Sequence, residues 1–180
     1  MNENVSIADS QRLVKLVGYF ATPFALMVGG LGVIVSGATD TVRAVCVGLL
    51  GFSGFLNLIF PKFLEGQSAD KKGPNVRVRM ALNVLVNALL VYFLGVDFPS
   101  IWLILALSPF ATAIYGSRRK TAVAAATSVA ILLTVHVLRG DHRFVVWAET
   151  LARVGFIVLI SLLVNRLASL ISPQPTTASI

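Results

Sequence analysis

The sequence predicts an all-α fold, a polytopic transmembrane bundle of six helices with both termini on the cytoplasmic side. Three observations predict it: an apolar composition, six long apolar runs, and an uneven placement of lysine and arginine between those runs. Of the 180 residues, 56% are hydrophobic and 13% charged, with a mean hydropathy of +0.84. A soluble domain carries about a quarter charged residues, and a small one leaves much of its surface in water. Lipid solvates this set of side chains better than water does.

A helix needs about 20 mostly apolar residues to cross the hydrocarbon. The runs that meet this requirement cover residues 16–36, 44–60, 80–96, 99–116, 121–138 and 147–165. None alternates as a barrel strand does, and all are longer than one. Backbone groups in lipid must pair within their own segment, which leaves the helix. The expectation is a single domain over residues 1–171 followed by a short polar tail, 172–180.

The first run follows Arg12 and Lys15 and precedes "SGA" at 36–38, features shared with a cleaved signal peptide. It exceeds the about 7 to 15 apolar residues of a signal core, so a retained anchor is expected. It holds Pro23 in "TPFA" and the small residues Gly29, Gly30, Gly32 and Ser36. The second run carries Ala44, Gly48, Gly51 and Gly54, and the lone cysteine, Cys46, reads as a packing residue. In lipid, small residues mark places where helices approach closely, within a bundle or across a dimer.

The loop 61–79, "PKFLEGQSADKKGPNVRVR", is basic, and Gly66, Gly73 and Pro74 make it a flexible connector. Its cations attract anionic headgroups at about 1 kcal/mol each. The third run presents Asn83 and Asn87 four residues apart, with Asn57 of the second run at a compatible depth. This spacing predicts interhelical hydrogen bonds, with an ion path as the competing reading. Pro109 sits inside the fourth run in "SPFA" and, like Pro23, removes a backbone hydrogen bond and is a candidate flex point. The shared "PFA" hints at an inverted repeat, but the two halves do not otherwise align. The fifth run carries Ala122, Ala126 and Ala130 as a stripe.

The "SRRK" turn before that stripe, with Arg118, Arg119 and Lys120, fixes orientation. With the N-terminus inside, the inner segments hold Arg12, Lys15, Lys62, Lys71, Lys72, Arg77, Arg79, the three cations of this turn and Arg166. The outer segments hold only Arg43, Arg139, Arg143 and Arg153. Positive charge concentrates on the cytoplasmic side of membrane proteins, so the turn is read as a cytoplasmic lock and the location as a bacterial inner membrane. A net charge of +7 invites a nucleic-acid reading, but the cations form patches between apolar runs, not a basic stripe.

The sixth run must recruit "WAETLAR" to cross, which brings Glu149 and Arg153 near the outer leaflet in the order that favours an intrahelical pair. Asp97, His136, Asp141 and His142 fall on the same side. Asp97, His136, Glu149 and Arg153 are therefore the candidate ligand-binding set; a neutral Glu149–Arg153 pair with a snorkelling arginine is the alternative. Two histidines without fixed spacing do not make a metal site, and no cofactor is implied. The eight acids form no DxxD or DxD cluster, and no GxSxG, HExxH or GxxxxGK[ST] pattern occurs. An enzyme is not expected.

The run "FPSIWLILALSPFATAIYGSRRKTAVAAATSVAILL", a polar turn, and then "LARVGFIVLISLLVNRL" resemble the multi-helix N-terminal membrane sensing module of bacterial histidine kinases and related signalling proteins, over about residues 98–170. In that group a proline-containing span, a short basic turn and an alanine-rich span recur, and the last helix enters a cytoplasmic output domain. Here "SPQPTTASI" stops the helix and no output domain is read after it. The resemblance implies a signalling module without its own output, acting through a partner membrane protein or by forming a homodimer. A small transporter or channel subunit is the second expectation, and a membrane enzyme acting on lipid the third.

Overall fold

In the computed structural model, residues 20–60, 69–140 and 143–171 are described. Arg12, Lys15, Lys62, Asp141, His142 and the tail 172–180 lie outside the described residues, and so does the loop 61–68. All regular structure among the described residues is helical. In chain order it comprises α1 (Phe20–Val35), α2 (Asp40–Gly54), α3 (Ala69–Leu94), α4 (Leu103–Tyr115), α5 (Arg118–Arg139) and α6 (Phe144–Ile171). A π-helical turn, Phe55–Ile59, prolongs α2, and a 3₁₀ turn, Pro99–Trp102, leads into α4.

Three helices are long and apolar enough to cross a membrane: Asp40–Ile59, Arg118–Arg139 and Phe144–Leu170. Three further apolar stretches are shorter, Phe20–Val35, Val78–Leu94 and Pro99–Ile114. Each has a local reason. α1 is described only from Phe20, the first part of α3 is polar, and the proline at 99 begins its helix as a tighter 3₁₀ turn.

Helix limits also depart from the apolar runs for reasons of end chemistry. α2 starts at Asp40, ahead of the run, because an acid in the first turn complements the helix dipole. Ser117 caps α5 by accepting a hydrogen bond from the Lys120 N–H at 3.4 Å. α5 ends at Gly140, whose φ of 66° is left-handed, the conformation in which glycine most cheaply terminates a helix. α6 extends beyond the sixth run at both ends and has 28 residues.

The distribution of side chains inverts the soluble pattern. Ile34 (76% exposed), Leu159 (70%) and Phe144 (85%) stand outside, while Ser36, Ser53, Thr121, Ser128, Thr150 and Ser161 are buried. In water each outward aliphatic or aromatic side chain would forgo about 1.5–3 kcal/mol of burial; in hydrocarbon it forgoes nothing. The outward apolar coat and the helix lengths together define a helical membrane protein.

α4, α5 and α6 pack against one another as a three-helix unit, and α3 joins it along α5 and the start of α4. The shared core is Val86, Leu90 and Leu94 of α3, Ile101, Ile104 and Leu105 around α4, Leu132 and Val135 of α5, and Ile157 of α6. α2 packs on α3. α1 closes on both: a methyl group at Gly29 would overlap Leu50, and one at Gly32 would stand 3.0 Å from Phe98 Cδ1.

The other small-residue faces do not serve the interior. Ala44, Gly48 and Gly51 of α2 face outward, and so do Ala122, Ala126 and Ala130 of α5. The buried face of α5 is instead Thr121, Ala125, Ser128, Leu132, Val135 and His136. The physical reason is polar: hydroxyls on this face of α5 donate to α4 carbonyls, Ser128 to Leu105 and Thr121 to Thr112.

Candidate functional site

Arg139, the last residue of α5, reaches the last turn of α3, so both helices end at one end of the bundle. Its guanidinium donates to the Val91 carbonyl and to the Tyr92 carbonyl, the latter at 2.7 Å. The Val91 carbonyl also accepts from the Gly95 N–H at 3.0 Å; carbonyls at a helix C-terminus have few intrahelical partners, and a cation is favoured there. Glycine at 95 makes the contact possible, because a Cβ would lie 2.7 Å from Arg139 Nη2. Arg43 does the same for α1, donating to the Ser36 carbonyl at 2.8 Å. Arg153 donates to Glu149 at 3.0 Å within α6. Arg43, Arg139 and Arg153, three cations on the sparsely basic side, thus have acceptors inside the protein.

His136 is the buried ionisable group at this end, 7% exposed. Thr150 Oγ1 stands 3.2 Å from its Nδ1 and itself donates to the Val146 carbonyl at 2.8 Å. A hydroxyl has one proton. With that proton committed to Val146, Nδ1 is the donor, and in the neutral ring Nε2 is then the acceptor. Nε2 is buried without a partner. The edge of Trp147 covers the ring, with centroids 4.2 Å apart and planes at 72°. A buried unpaired acceptor is costly, so this nitrogen is where a hydrogen-bond donor would bind most favourably.

The four sequence-derived candidates are therefore only partly brought together. Glu149 and Arg153 pair directly, at 56% and 22% side-chain exposure. His136 turns to Thr150 and Trp147, not to that pair. Asp97 is exposed beside Gly37 of the α1–α2 connection, where a Cβ would lie 3.9 Å from its carboxylate.

At the opposite end, Asn57 and Asn83 form a reciprocal amide pair, with N–H···O distances of 2.9 and 2.8 Å. Asn57 also donates to the Ser53 carbonyl at 2.9 Å. In a π-helical turn the backbone bonds shift by one residue, and the asparagine side chain supplies the bond to the carbonyl four residues back. Asn87 lies about one turn deeper on α3 than Asn83, half-buried, and makes no side-chain hydrogen bond with the described residues. The α4 C-terminus is tied to both partners. Thr121 donates to the Thr112 carbonyl at 3.2 Å, and Asn165 to the Ala113 and Gly116 carbonyls at 3.1 Å each. Arg118, Arg119 and Lys120 are exposed on the first turn of α5, the end whose dipole disfavours cations. Helix stability does not account for them.

Pro109 lies within α4 and is fully buried. A proline has no N–H for the carbonyl four residues earlier, here Leu105. Ser128 of α5 donates to that carbonyl at 2.8 Å, the side-chain repair that lets proline persist in membrane helices. Pro23 is exposed in the first described turn of α1.

Among the described residues no three His, Cys, Asp or Glu side chains group as a metal site. Sequence reasoning missed Arg139, Arg43, Thr150, Ser128 and Asn165. Only Ser128 had a local signal, since a mid-helix proline requires a donor from somewhere. Comparisons with protein-family models, curated proteins and solved structures give no match to this chain.

Proposed function

We propose that this protein is a non-enzymatic sensing or accessory module of a bacterial inner membrane, threaded six times with both ends inside, and working through a partner protein or a second copy. The observation that carries the reading is His136. A buried imidazole with its donor committed and its acceptor unfilled sits at one end of a three-helix unit whose opposite end displays three exposed cations. A donor arriving at Nε2 changes the hydrogen bonding between α5 and α6 directly, and both helices run unbroken to the far end.

The test is a distance measurement between spin labels at that far end. In a Cys46→Ala background reconstituted in nanodiscs, labels at Ser117→Cys and Ile59→Cys report α5 against α2. Sensing expects His136→Gln to shift the distance distribution. Superimposable distributions would overturn it. Transport is separated by flux: solute or proton movement in proteoliposomes that is lost with Asn87→Ala would replace the sensing reading with a transporter.

A further inference from the structure

Among the described residues, three arginines have a fully buried Nε without a partner: Arg43, Arg79 and Arg139. In two of them Nη2 has a carbonyl acceptor, Ser36 for Arg43 and Val91 and Tyr92 for Arg139. Arg79 is the exception. It is half-buried on α3 and makes no hydrogen bond or ion pair with the described residues. A partly desolvated cation without an acceptor is strongly unfavourable, so its acceptor lies outside the described residues.

The position of Arg79 says what supplies it. It stands in the first turn of the apolar stretch Val78–Leu94, which is the depth of lipid headgroups when that stretch enters hydrocarbon. One turn further, about 6 Å deeper at 1.5 Å per residue, Asn83 lies on the same face. One N–H of its amide goes to Asn57 Oδ1, and an amide nitrogen carries two. The uncommitted groups of Arg79 and Asn83 are thus donors: the guanidinium at the headgroup level and one amide N–H below it. Donors stacked in this order match an oxyanion above an ester carbonyl.

We propose that Arg79 and Asn83 form a binding site for a membrane phospholipid, with Arg79 gripping the phosphate in two-pronged fashion, as guanidinium does, and Asn83 donating to an acyl ester carbonyl. The site differs from the attraction of the neighbouring cations to the surface because it binds one lipid in one orientation. It stands independently of what His136 does. The Asn57–Asn83 pair fixes the lower donor, so the bound lipid also stiffens the α2–α3 contact at this end.

The experiment is native mass spectrometry of the full chain titrated with phosphatidylglycerol, reading the apparent affinity for the first lipid. Arg79→Gln is expected to weaken it about tenfold or more, the loss typical of a charge-assisted, two-pronged contact, while Arg119→Gln, an exposed cation, leaves it within about twofold. Equal loss in both variants, or none in Arg79→Gln, overturns the site. Arg79→Lys keeps the charge but not the fork, and is expected to fall between wild type and glutamine even if the glutamine variant fails to fold; lysine with wild-type affinity counts against the geometry. Inorganic phosphate at millimolar concentration is the second arm. Failure to displace the first lipid supports a lipid site, and saturable binding of phosphate alone that Arg79→Gln abolishes overturns the lipid assignment in favour of the free anion.

Discussion

Ser128 and Pro109 illustrate how single residues in this protein are explained by a partner on another helix. The proline leaves the Leu105 carbonyl without its backbone donor, and the serine replaces that donor at 2.8 Å. Ser128→Ala is therefore expected to destabilise the protein by about 1 kcal/mol, within the range for interhelical hydrogen bonds in membranes. In a Pro109→Ala background the backbone N–H returns and the same substitution costs clearly less. Thermal unfolding of the four variants in detergent measures the coupling, and equal losses in both backgrounds would show that the two residues are independent. Arg139 is explained in the same way. Gly95→Ala places a methyl 2.7 Å from its Nη2 and is expected to lower the melting temperature nearly as much as Arg139→Gln, whereas Gly48→Ala, which meets open space, leaves it unchanged.

At the scale of elements, the chain ties helix ends to neighbours and leaves helix flanks to lipid. α2 is tied to α3 by the Asn57–Asn83 amide pair, and α4 to α5 and α6 through Thr121 and Asn165. Substituting Asn57 or Asn83 alone with leucine strands a half-buried amide, so each single change is expected to cost more than the average of about 0.6 kcal/mol for such bonds. The double change to leucine restores an apolar contact and recovers part of the loss, a non-additivity that a double-mutant cycle detects. The elements themselves were legible: hydropathy located the apolar runs because a helix in lipid must be apolar along its whole flank. Their ends were less so. α6 begins at Phe144 because Phe144 and Val145 extend the apolar surface on the N-terminal side of Glu149, three residues ahead of the run 147–165. The small-residue stripes were legible as stripes but not as directions, since alanine at Ala122, Ala126 and Ala130 is equally at home against a helix and against acyl chains. The capping arginines were invisible because Arg43 meets α1 and Arg139 meets α3 only after the helices are side by side.

At the scale of the whole molecule, the outward apolar coat, the buried hydroxyls and the uneven cations describe one object, a helical protein dissolved in a bilayer. The cations on the sparsely basic side reinforce that picture. Arg43, Arg139 and Arg153 each have an acceptor within the protein, whereas Arg118, Arg119 and Lys120 are exposed and make no ion pair with described residues. A charge held by helix carbonyls or a glutamate is less available to set topology than one offered to solvent. Moving the exposed cations is accordingly expected to disturb orientation: changing all three to glutamine yields a mixed population by protease protection, while Arg43→Gln leaves orientation intact and lowers stability.

Cysteine accessibility in sealed vesicles tests the threading most directly. With Cys46 replaced by alanine, a membrane-impermeant thiol reagent is applied to Ser117→Cys, in the turn before α5, and to Asp97→Cys, in the turn before α4. The six-span arrangement expects Ser117→Cys to react only from the cytoplasmic face and Asp97→Cys only from the opposite face. Labelling of both from the same side, or of Ser117→Cys from outside, would contradict it.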